Sequence, residues 1–227
     1  VSTADALLNA LLAGATLHAY LFVQDGDRRA LRIAAACVGL GLLAKGPIAL
    51  LVPGAAVLLH IMIQRRWIAL RDLLADPLAW AILLGVSVPW YGWQLFEHGQ
   101  AFIDGFIFKH NVGRFTQTMH GFSAGPLYYP GWTLIALLPS VWLLVPTVHQ
   151  LIRGPRPPAF SFGLAWFAFV ILFFTASATK LPHYGFYGLT GLVIAMSIAR
   201  SERIPRLAFV FPVAILSLIH ISEPTRP

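Results

Sequence analysis

Long apolar segments separated by short polar turns dominate this sequence. They lie at about residues 3–23, 31–44, 47–63, 78–96, 131–152, 161–179, 182–199 and 207–221. Because the hydrocarbon core of a bilayer offers the backbone no hydrogen-bonding partner, a membrane segment must be a helix or a strand of a closed barrel. These segments are too long and too continuously apolar for barrel strands. The pattern predicts an all-α polytopic membrane protein with about seven complete spans and one truncated span.

Positive charges are divided unequally between the two sides of this predicted topology. The turns on one side contain eleven arginines: Arg28, Arg29, Arg32, Arg65, Arg66, Arg71, Arg153, Arg156, Arg200, Arg203 and Arg206. The positive-inside rule makes that side cytoplasmic. Four cations reach the outer side, namely Lys45, Lys109, Arg114 and Lys180. Because the rule disfavours cations there, we expect them to have a separate role.

The composition supports a membrane protein and excludes several other classes. Apolar residues make up 58% of the chain and charged residues 11%, which is too apolar for a soluble domain of this length. The net charge of +7 is explained by the cytoplasmic turns and does not indicate a nucleic-acid partner. Cys37 is the single cysteine, so disulfide frameworks and multi-cysteine metal sites are excluded.

The longest connection, residues 97–130, lies on the outer side and contains a helical stripe. Two isoleucines precede His110 and Arg114 at the spacing i, i+4, i+7 and i+11, which places all four on one helical face. We therefore predict an outer juxtamembrane helix at about 99–118 that lies in the membrane interface. His110 and Arg114 would share the face that packs against the protein.

Lysine and histidine residues on the outer side form a cation-rich rim that could hold a phosphate group. A helix-starting proline follows Lys45 and Lys180 within two residues, which predicts that both lysines lie near helix N-termini, where anions are favoured. Both could instead be rim residues without a ligand, and the sequence leaves this open. His183 belongs to the same cluster as Lys180. Asp5 is the one acid embedded in an apolar run near the outer surface, where it could orient a partner or cap the first helix.

Other polar and aromatic residues are assigned to the membrane interface. His60 lies near a cytoplasmic helix end, and Tyr129 belongs to a short aromatic group that fits the interfacial belt. We expect no ligand-binding role for either residue.

Five short segments on the outer side resemble, in order and spacing, the bacterial ArnT-like and protein O-mannosyltransferase-like (PMT) membrane glycosyltransferases. They are Thr3-Ala-Asp5-Ala-Leu, Leu43-Ala-Lys45-Gly-Pro47, Phe106-Ile-Phe-Lys-His110-Asn-Val-Gly-Arg114-Phe, Pro126-Leu-Tyr-Tyr129 and Thr179-Lys-Leu-Pro-His-Tyr184. The resemblance covers roughly residues 1–200. It implies a GT-C-like transmembrane helix bundle that uses a polyprenyl-phosphate sugar as donor on the outer face of the bacterial cytoplasmic membrane.

The resemblance also implies roles for individual residues. The donor-phosphate site would comprise Lys45, His110, Arg114, Lys180 and His183. His110 would in addition be a candidate ligand of a divalent metal such as zinc, and Asp5 a supporting acid. The catalytic acidic loop of the family is expected upstream of residue 1. No catalytic residue is therefore assigned here, and the 227 residues are expected to be inactive alone.

The sequence thus predicts a partial transmembrane glycosyltransferase domain over residues 1–216 and a non-native tail at 217–227. It would transfer a sugar to a lipid or protein acceptor, and neither the sugar nor the acceptor is specified. A transporter or flippase of a lipid-linked anion is the alternative, and a structural membrane subunit is a third hypothesis. Transporters place charges near the membrane midplane, whereas the spans here are uncharged through their centres.

Overall fold

The computed structural model describes residues 3–106, 113, 125–138 and 140–199. Within these ranges the chain forms the helices α1 (Thr3–Asp25), α2 (Arg28–Lys45), α3 (Ile48–Gln64), α4 (Trp67–Leu74), α5 (Pro77–Phe102), α6 (Tyr128–Ala136), α7 (Leu144–Arg153), α8 (Pro158–Ala176) and α9 (Phe186–Ile198). Short 3-10 helices, Val141–Leu143 and Pro182–Gly185, precede α7 and α9. No β-strand occurs in the described ranges, and the predicted all-α class is confirmed.

Two of the described helices are long and apolar enough to cross a membrane alone, namely Ala4–Asp25 of α1 and the whole of α8. Two further pairs of helices, each bent at a short break, are long and apolar enough to cross a membrane when the two helices are taken together. By length and composition this gives up to four spans in the described part of the chain. One pair is α4 with α5, at an angle of 55°, and the other is α6 with Val141–Arg153. The total of seven complete spans and one truncated span stays a prediction, because residues 200–227 lie outside the described ranges.

Side chains and a glycine turn fix the ends of the first helices. Asp27 and Asp76 cap α2 and α5, each accepting a backbone N–H at 2.8 Å. Gly46 ends α2 with a φ of 82°, a conformation that glycine adopts without steric cost. The chain therefore turns tightly between Lys45 and Pro47, and α2 and α3 form a helical hairpin.

Small residues let the helices approach closely. A Cβ atom on Gly191 of α9 would lie 2.6 Å from the carbonyl oxygen of Gly163 in α8, and one on Gly41 would lie 2.7 Å from the Cβ atom of Ala49. Such contacts are typical of membrane helices, whose association relies on close packing rather than on the hydrophobic effect. The core around the fully buried Trp166 joins α1, α2, α3, α8 and α9.

Two helix boundaries differ from the sequence predictions. The single helix predicted over 131–152 is wrong, because α6 and α7 are separate helices with a 3-10 helix between them. On the two sides of this break the backbone bonds have the tighter spacing of a 3-10 turn, since the N–H of Leu138 donates to the carbonyl oxygen of Ile135 at 3.1 Å and that of Leu143 to Ser140 at 2.9 Å. Helical structure also continues past residue 96 to Phe106, with a kink at Gly99, where φ is 52°. The kink coincides with the predicted start of the juxtamembrane helix, most of which lies outside the described residues.

The helix order brings different charges to the two ends of the bundle. We call the end with Asp5 and Lys45 the lysine end, and the end with Arg28 and Asp76 the arginine end. Helix α1 runs from the first to the second, where Arg66 Nη1 donates to a carbonyl oxygen near the end of α1 at 2.8 Å. This separation agrees with the alternation of turns predicted from the arginine positions.

Candidate functional site

An ion pair between Lys45 and Asp5 forms the centre of the lysine end. Asp5 lies in the first turn of α1 and Lys45 is the last residue of α2. The ammonium group of Lys45 donates a hydrogen bond to Asp5 Oδ1. Because α1 and α2 are antiparallel neighbours, the start of one helix and the end of the other meet at the same level.

Tyr187, in the first turn of α9, completes a triangle with this pair. Lys45 Nζ donates to the Tyr187 hydroxyl at 3.1 Å, and that hydroxyl donates to Asp5 Oδ1 at 3.4 Å. Three helices therefore contribute to one polar cluster, and the ammonium group is held by two partners at once. Such a network limits the rotamers that a long lysine side chain can adopt.

Aromatic rings and a histidine surround the same ammonium group. Lys45 Nζ lies 5.5 Å from the ring centroid of Tyr184 and 5.9 Å from that of Tyr187, within the range of cation–π attraction. His183 Nε2 lies 3.7 Å from Asp5 Oδ2. We call the set of Asp5, Lys45, His183, Tyr184 and Tyr187 the lysine cluster.

The lysine cluster is largely buried but remains accessible from outside the bundle. The side chains of Lys45 and His183 are each 25% exposed, and that of Asp5 is 14% exposed. Charges in such a partly desolvated position interact more strongly than charges in bulk water. An anion that reached Lys45 would therefore meet a positioned cation with a reduced hydration shell.

Lys180 does not join this cluster. Its ammonium group donates to the carbonyl oxygens of Thr175 at 2.6 Å and Ser177 at 3.1 Å, at the C-terminal end of α8. As predicted, a helix begins two residues after Lys180, at Pro182, but the side chain of Lys180 points back toward the carbonyl groups at the C-terminal end of α8, which attract cations. A role of Lys180 at the donor phosphate stays a prediction. The following linker is fixed as well, since the N–H of Leu181 donates to the hydroxyl of the fully buried Tyr129 at 3.2 Å.

The remaining predicted phosphate ligands, His110 and Arg114, lie outside the described residues. No group of three or more metal-ligating side chains occurs in the described part of the chain. Asp5 and His183 are of ligand type, but the ammonium group of Lys45 already neutralises Asp5 and would repel a divalent cation. The lysine cluster therefore does not fit a metal, and the role of His110 as a metal ligand stays a prediction.

The arginine end has a different chemistry. Asp76 is buried and lies 3.7 Å from Arg28 and 3.5 Å from Arg32. The N–H of Ala79 and the two guanidinium groups lower the pKa of Asp76, against the opposing effect of burial. His60, predicted to be interfacial, is instead fully buried, with its Nε2 2.6 Å from the Gln24 amide nitrogen.

A large apolar cavity opens between α6, α7 and α8. Its volume is about 770 Å³, and its lining includes Thr133, Leu144, Leu164, Phe167 and Leu192. Pro130 lines one part of it, next in sequence to the buried Tyr129 that contacts the linker before His183. A flexible apolar chain is the kind of molecule that such a cavity accommodates.

Sequence reasoning missed Tyr187 and Tyr184 and assigned Tyr129 to the aromatic belt. Tyr184 and Tyr187 are three residues apart, which places them on one helical face. Tyr184 follows Lys180 by four residues, and Tyr187 follows His183 by four residues. This spacing is the signal that could have identified the two tyrosines. Burial of Tyr129 depends on packing against α8, where its ring centroid is 6.2 Å from that of Phe174.

Comparisons of the sequence identify related proteins. A family model described as dolichyl-phosphate-mannose-protein mannosyltransferase matches residues 1–93. The undecaprenyl phosphate-alpha-4-amino-4-deoxy-L-arabinose arabinosyl transferase of Serratia proteamaculans is 29% identical over 194 residues, which are 81% of this chain and 33% of that protein. The protein of the same name from Pseudomonas paraeruginosa is 32% identical over 169 residues, 73% of this chain and 30% of that protein. This chain thus spans about a third of the length of these relatives.

The fold is similar to solved structures of ArnT from Cupriavidus metallidurans. The structure bound to undecaprenyl phosphate superposes with a TM-score of 0.79 and 19% sequence identity, over 97% of this chain and 40% of that chain. The apo structure gives a TM-score of 0.76. This similarity confirms the GT-C fold.

Proposed function

We propose, from the premise that this chain is an ArnT-like member of the PMT and GT-C family, that it is part of a membrane glycosyltransferase with a polyprenyl-phosphate sugar donor. The observation that carries the proposal is Lys45, whose partly exposed ammonium group is held by Asp5 and Tyr187 at one end of an apolar bundle. A phosphate group at headgroup depth and a prenyl tail among the helices match this arrangement of charge and apolar surface.

In the proposed reaction, an acceptor hydroxyl oxygen bonds to the anomeric carbon as the bond from that carbon to the donor phosphate oxygen breaks. The electron pair of the broken bond goes to the departing polyprenyl phosphate, which gains negative charge. Lys45 would stabilise that charge in the transition state, because a positioned cation needs no reorganisation when the charge develops. The proton of the acceptor hydroxyl would pass to a base in the acidic loop expected upstream of residue 1.

Asp5 would position Lys45 rather than act as the base. Its Oδ1 atom already accepts hydrogen bonds from Lys45 and Tyr187, so this oxygen is occupied by the groups that it holds in place. His183 would contribute a second donor near the phosphate. His110 and Arg114 would approach from the juxtamembrane helix, where the guanidinium fork of Arg114 can bind two phosphate oxygens.

The finer substrate assignment is also a proposal. We infer that the lipid of the donor is undecaprenyl phosphate, and the aminoarabinose in the names of the relatives supports an amino-pentose as the sugar. The apolar cavity beside Pro130 would hold part of the prenyl tail. The acceptor would be a membrane lipid such as lipid A. The active face would be outside the bacterial cytoplasmic membrane, because the arginine end is cytoplasmic by the positive-inside rule.

The test measures sugar transfer by the full-length protein in proteoliposomes. Lys45→Met should lower the transfer rate by about 100-fold or more, as expected for loss of a group that stabilises transition-state charge. Lys45→Arg should retain part of the activity. Arg71→Gln is the matched control, because Arg71 is an exposed cation 3.3 Å from Asp72 at the other end of the bundle, and its loss should leave transfer unchanged.

Two results would contradict the proposal. Transfer by Lys45→Met at the wild-type rate would leave Lys45 as a structural residue. Movement of a lipid-linked sugar across the bilayer by wild type, without transfer to any acceptor, would favour the transporter hypothesis instead.

A further inference from the structure

A second cavity, with a polar lining, lies at the arginine end, remote from the lysine cluster. It has a volume of about 700 Å³ and lies where the end of α1, the start of α2 and the α3–α4 junction meet. Its charged lining consists of Arg28, Arg65, Arg66 and Asp72. Nothing in the proposed transfer reaction uses this cavity.

The charged side chains that line this cavity leave an excess of positive charge. Arg66 is fixed in place, because its Nη1 donates to two carbonyl oxygens near the end of α1, at 2.8 and 3.0 Å. Arg28 is 3.7 Å from the buried Asp76, but its side chain is 65% exposed. The one carboxylate in the lining, Asp72, lies 3.3 Å from Arg71, which offsets its charge. The lining therefore favours an anion with several oxygen atoms.

Apolar side chains border the same cavity. Helix α4 contains no buried residue, and its Leu70 and Leu73 pack partly against the core. Trp67 and Ile68 line the cavity and remain exposed, Ile68 to 71%. A short helix with one face on the bundle and large apolar side chains outward, next to arginines, is typical of a segment that lies in the headgroup layer of a membrane.

We propose that this cavity binds the phosphate headgroup of an anionic membrane phospholipid, with its acyl chains beside Trp67 and Ile68. A soluble anion would use the arginines but leave the apolar border in water, whereas a phospholipid satisfies both. Basic pockets between membrane helices are known to recognise anionic headgroups by this combination. The proposal does not depend on the transferase activity.

The experiment uses the purified full-length protein in detergent micelles, titrated with dioleoyl phosphatidylglycerol and followed by native mass spectrometry. Wild type should bind phosphatidylglycerol more tightly than dioleoyl phosphatidylcholine. Arg65→Gln should weaken the binding of phosphatidylglycerol about fivefold, which corresponds to the usual contribution of one arginine at a lipid surface. Arg28→Gln is a second variant with the same expectation. Arg29→Gln is the matched control, because Arg29 has the same charge as Arg28 and lies beside it in the first turn of α2 but does not line the cavity.

Several outcomes would overturn the proposal. Equal affinity for the two lipids would remove the headgroup selectivity. Equal weakening by Arg29→Gln and Arg65→Gln would indicate diffuse attraction to the surface instead of a site. Unchanged affinity in both Arg65→Gln and Arg28→Gln would exclude the cavity. Displacement of phosphatidylglycerol by millimolar inorganic phosphate would identify a soluble anion as the ligand.

Discussion

The two ends of the bundle treat positive charge in different ways. At the lysine end, a single ammonium group is enclosed by a carboxylate, a hydroxyl and two aromatic rings contributed by three helices. At the arginine end, the two guanidinium groups of Arg28 and Arg32 share one buried carboxylate, Asp76, and most of the charge faces outward. Lys45 is held in place by the fold, whereas the arginines, apart from Arg66, lie mainly on its surface.

This difference separates two uses of the same electrostatics. A cation that a chemical step depends on must be oriented before the anion arrives, and the partners of Lys45 provide that orientation. A cation that sets topology or attracts lipid headgroups needs only to be present on the correct side. The kind of partner therefore distinguishes the two ends, since Lys45 is held by a carboxylate and a hydroxyl group, whereas Arg66 is held by backbone carbonyl groups.

The largest expected effect on the free energy of unfolding comes from breaking the ion pair between Asp5 and Lys45. Asp5→Asn and Lys45→Met should each lower the free energy of unfolding by about 2 kcal/mol, because each leaves a partly buried charge without its partner. The double variant should recover most of the loss, since no isolated charge remains. Thermal unfolding of the three variants in detergent measures the coupling, with Arg71→Gln of the exposed pair expected to cost less than about 0.5 kcal/mol. Additive losses in the double variant would show that the two residues do not form a pair.

A smaller loss of stability is expected from Asp76→Asn at the arginine end. Asparagine can still accept the N–H of Ala79, so only the attraction to Arg28 and Arg32 is lost, about 1 kcal/mol near neutral pH. Because the pKa of Asp76 is lowered, its contribution is present above the ordinary value of 3.8 and is lost as the pH falls through the folded-state pKa. The difference in melting temperature between wild type and Asp76→Asn should therefore shrink below pH 3.8. A difference independent of pH would assign it to packing.

The smallest effect is expected from Tyr187→Phe. This variant keeps the ring beside Lys45 but removes the hydroxyl that accepts from Lys45 and donates to Asp5. Transfer should fall about fivefold, which corresponds to about 1 kcal/mol for the loss of both hydrogen bonds, of which the one to Asp5 is long. Tyr184→Phe is the control, because its ring also lies beside Lys45 while its hydroxyl has no part in the Asp5–Lys45–Tyr187 triangle. Equal losses in both variants would mean that the rings, not the hydroxyl, position the lysine. Initial rates at saturating donor are the measurement.

The all-α class and the separation of the lysine end from the arginine end were predictable from the sequence, and side-chain geometry was not. The positions of the arginines along the chain were sufficient to place Asp5 and Lys45 together at the end of the bundle opposite to Arg28 and Asp76. The partners of Lys180 could not be foreseen, because a lysine beside a helix-starting proline can also reach back to the carbonyl groups of the preceding helix. Tyr187 was missed because the 3-10 helix Pro182–Gly185 decides which face of α9 meets α1.

The pairing of Asp5 with Lys45 has a consequence for how the chain enters the membrane. Asp5 and Lys45 lie on successive helices at the same level of the bundle. The two side chains can therefore meet before the later helices are synthesised. A charged side chain is costly to place in hydrocarbon, and two opposite charges that travel together lower that cost for both. The pair of helices α1 and α2 can thus partition into the bilayer with the charges of Asp5 and Lys45 neutralised, and Tyr187 completes the cluster when α9 is added.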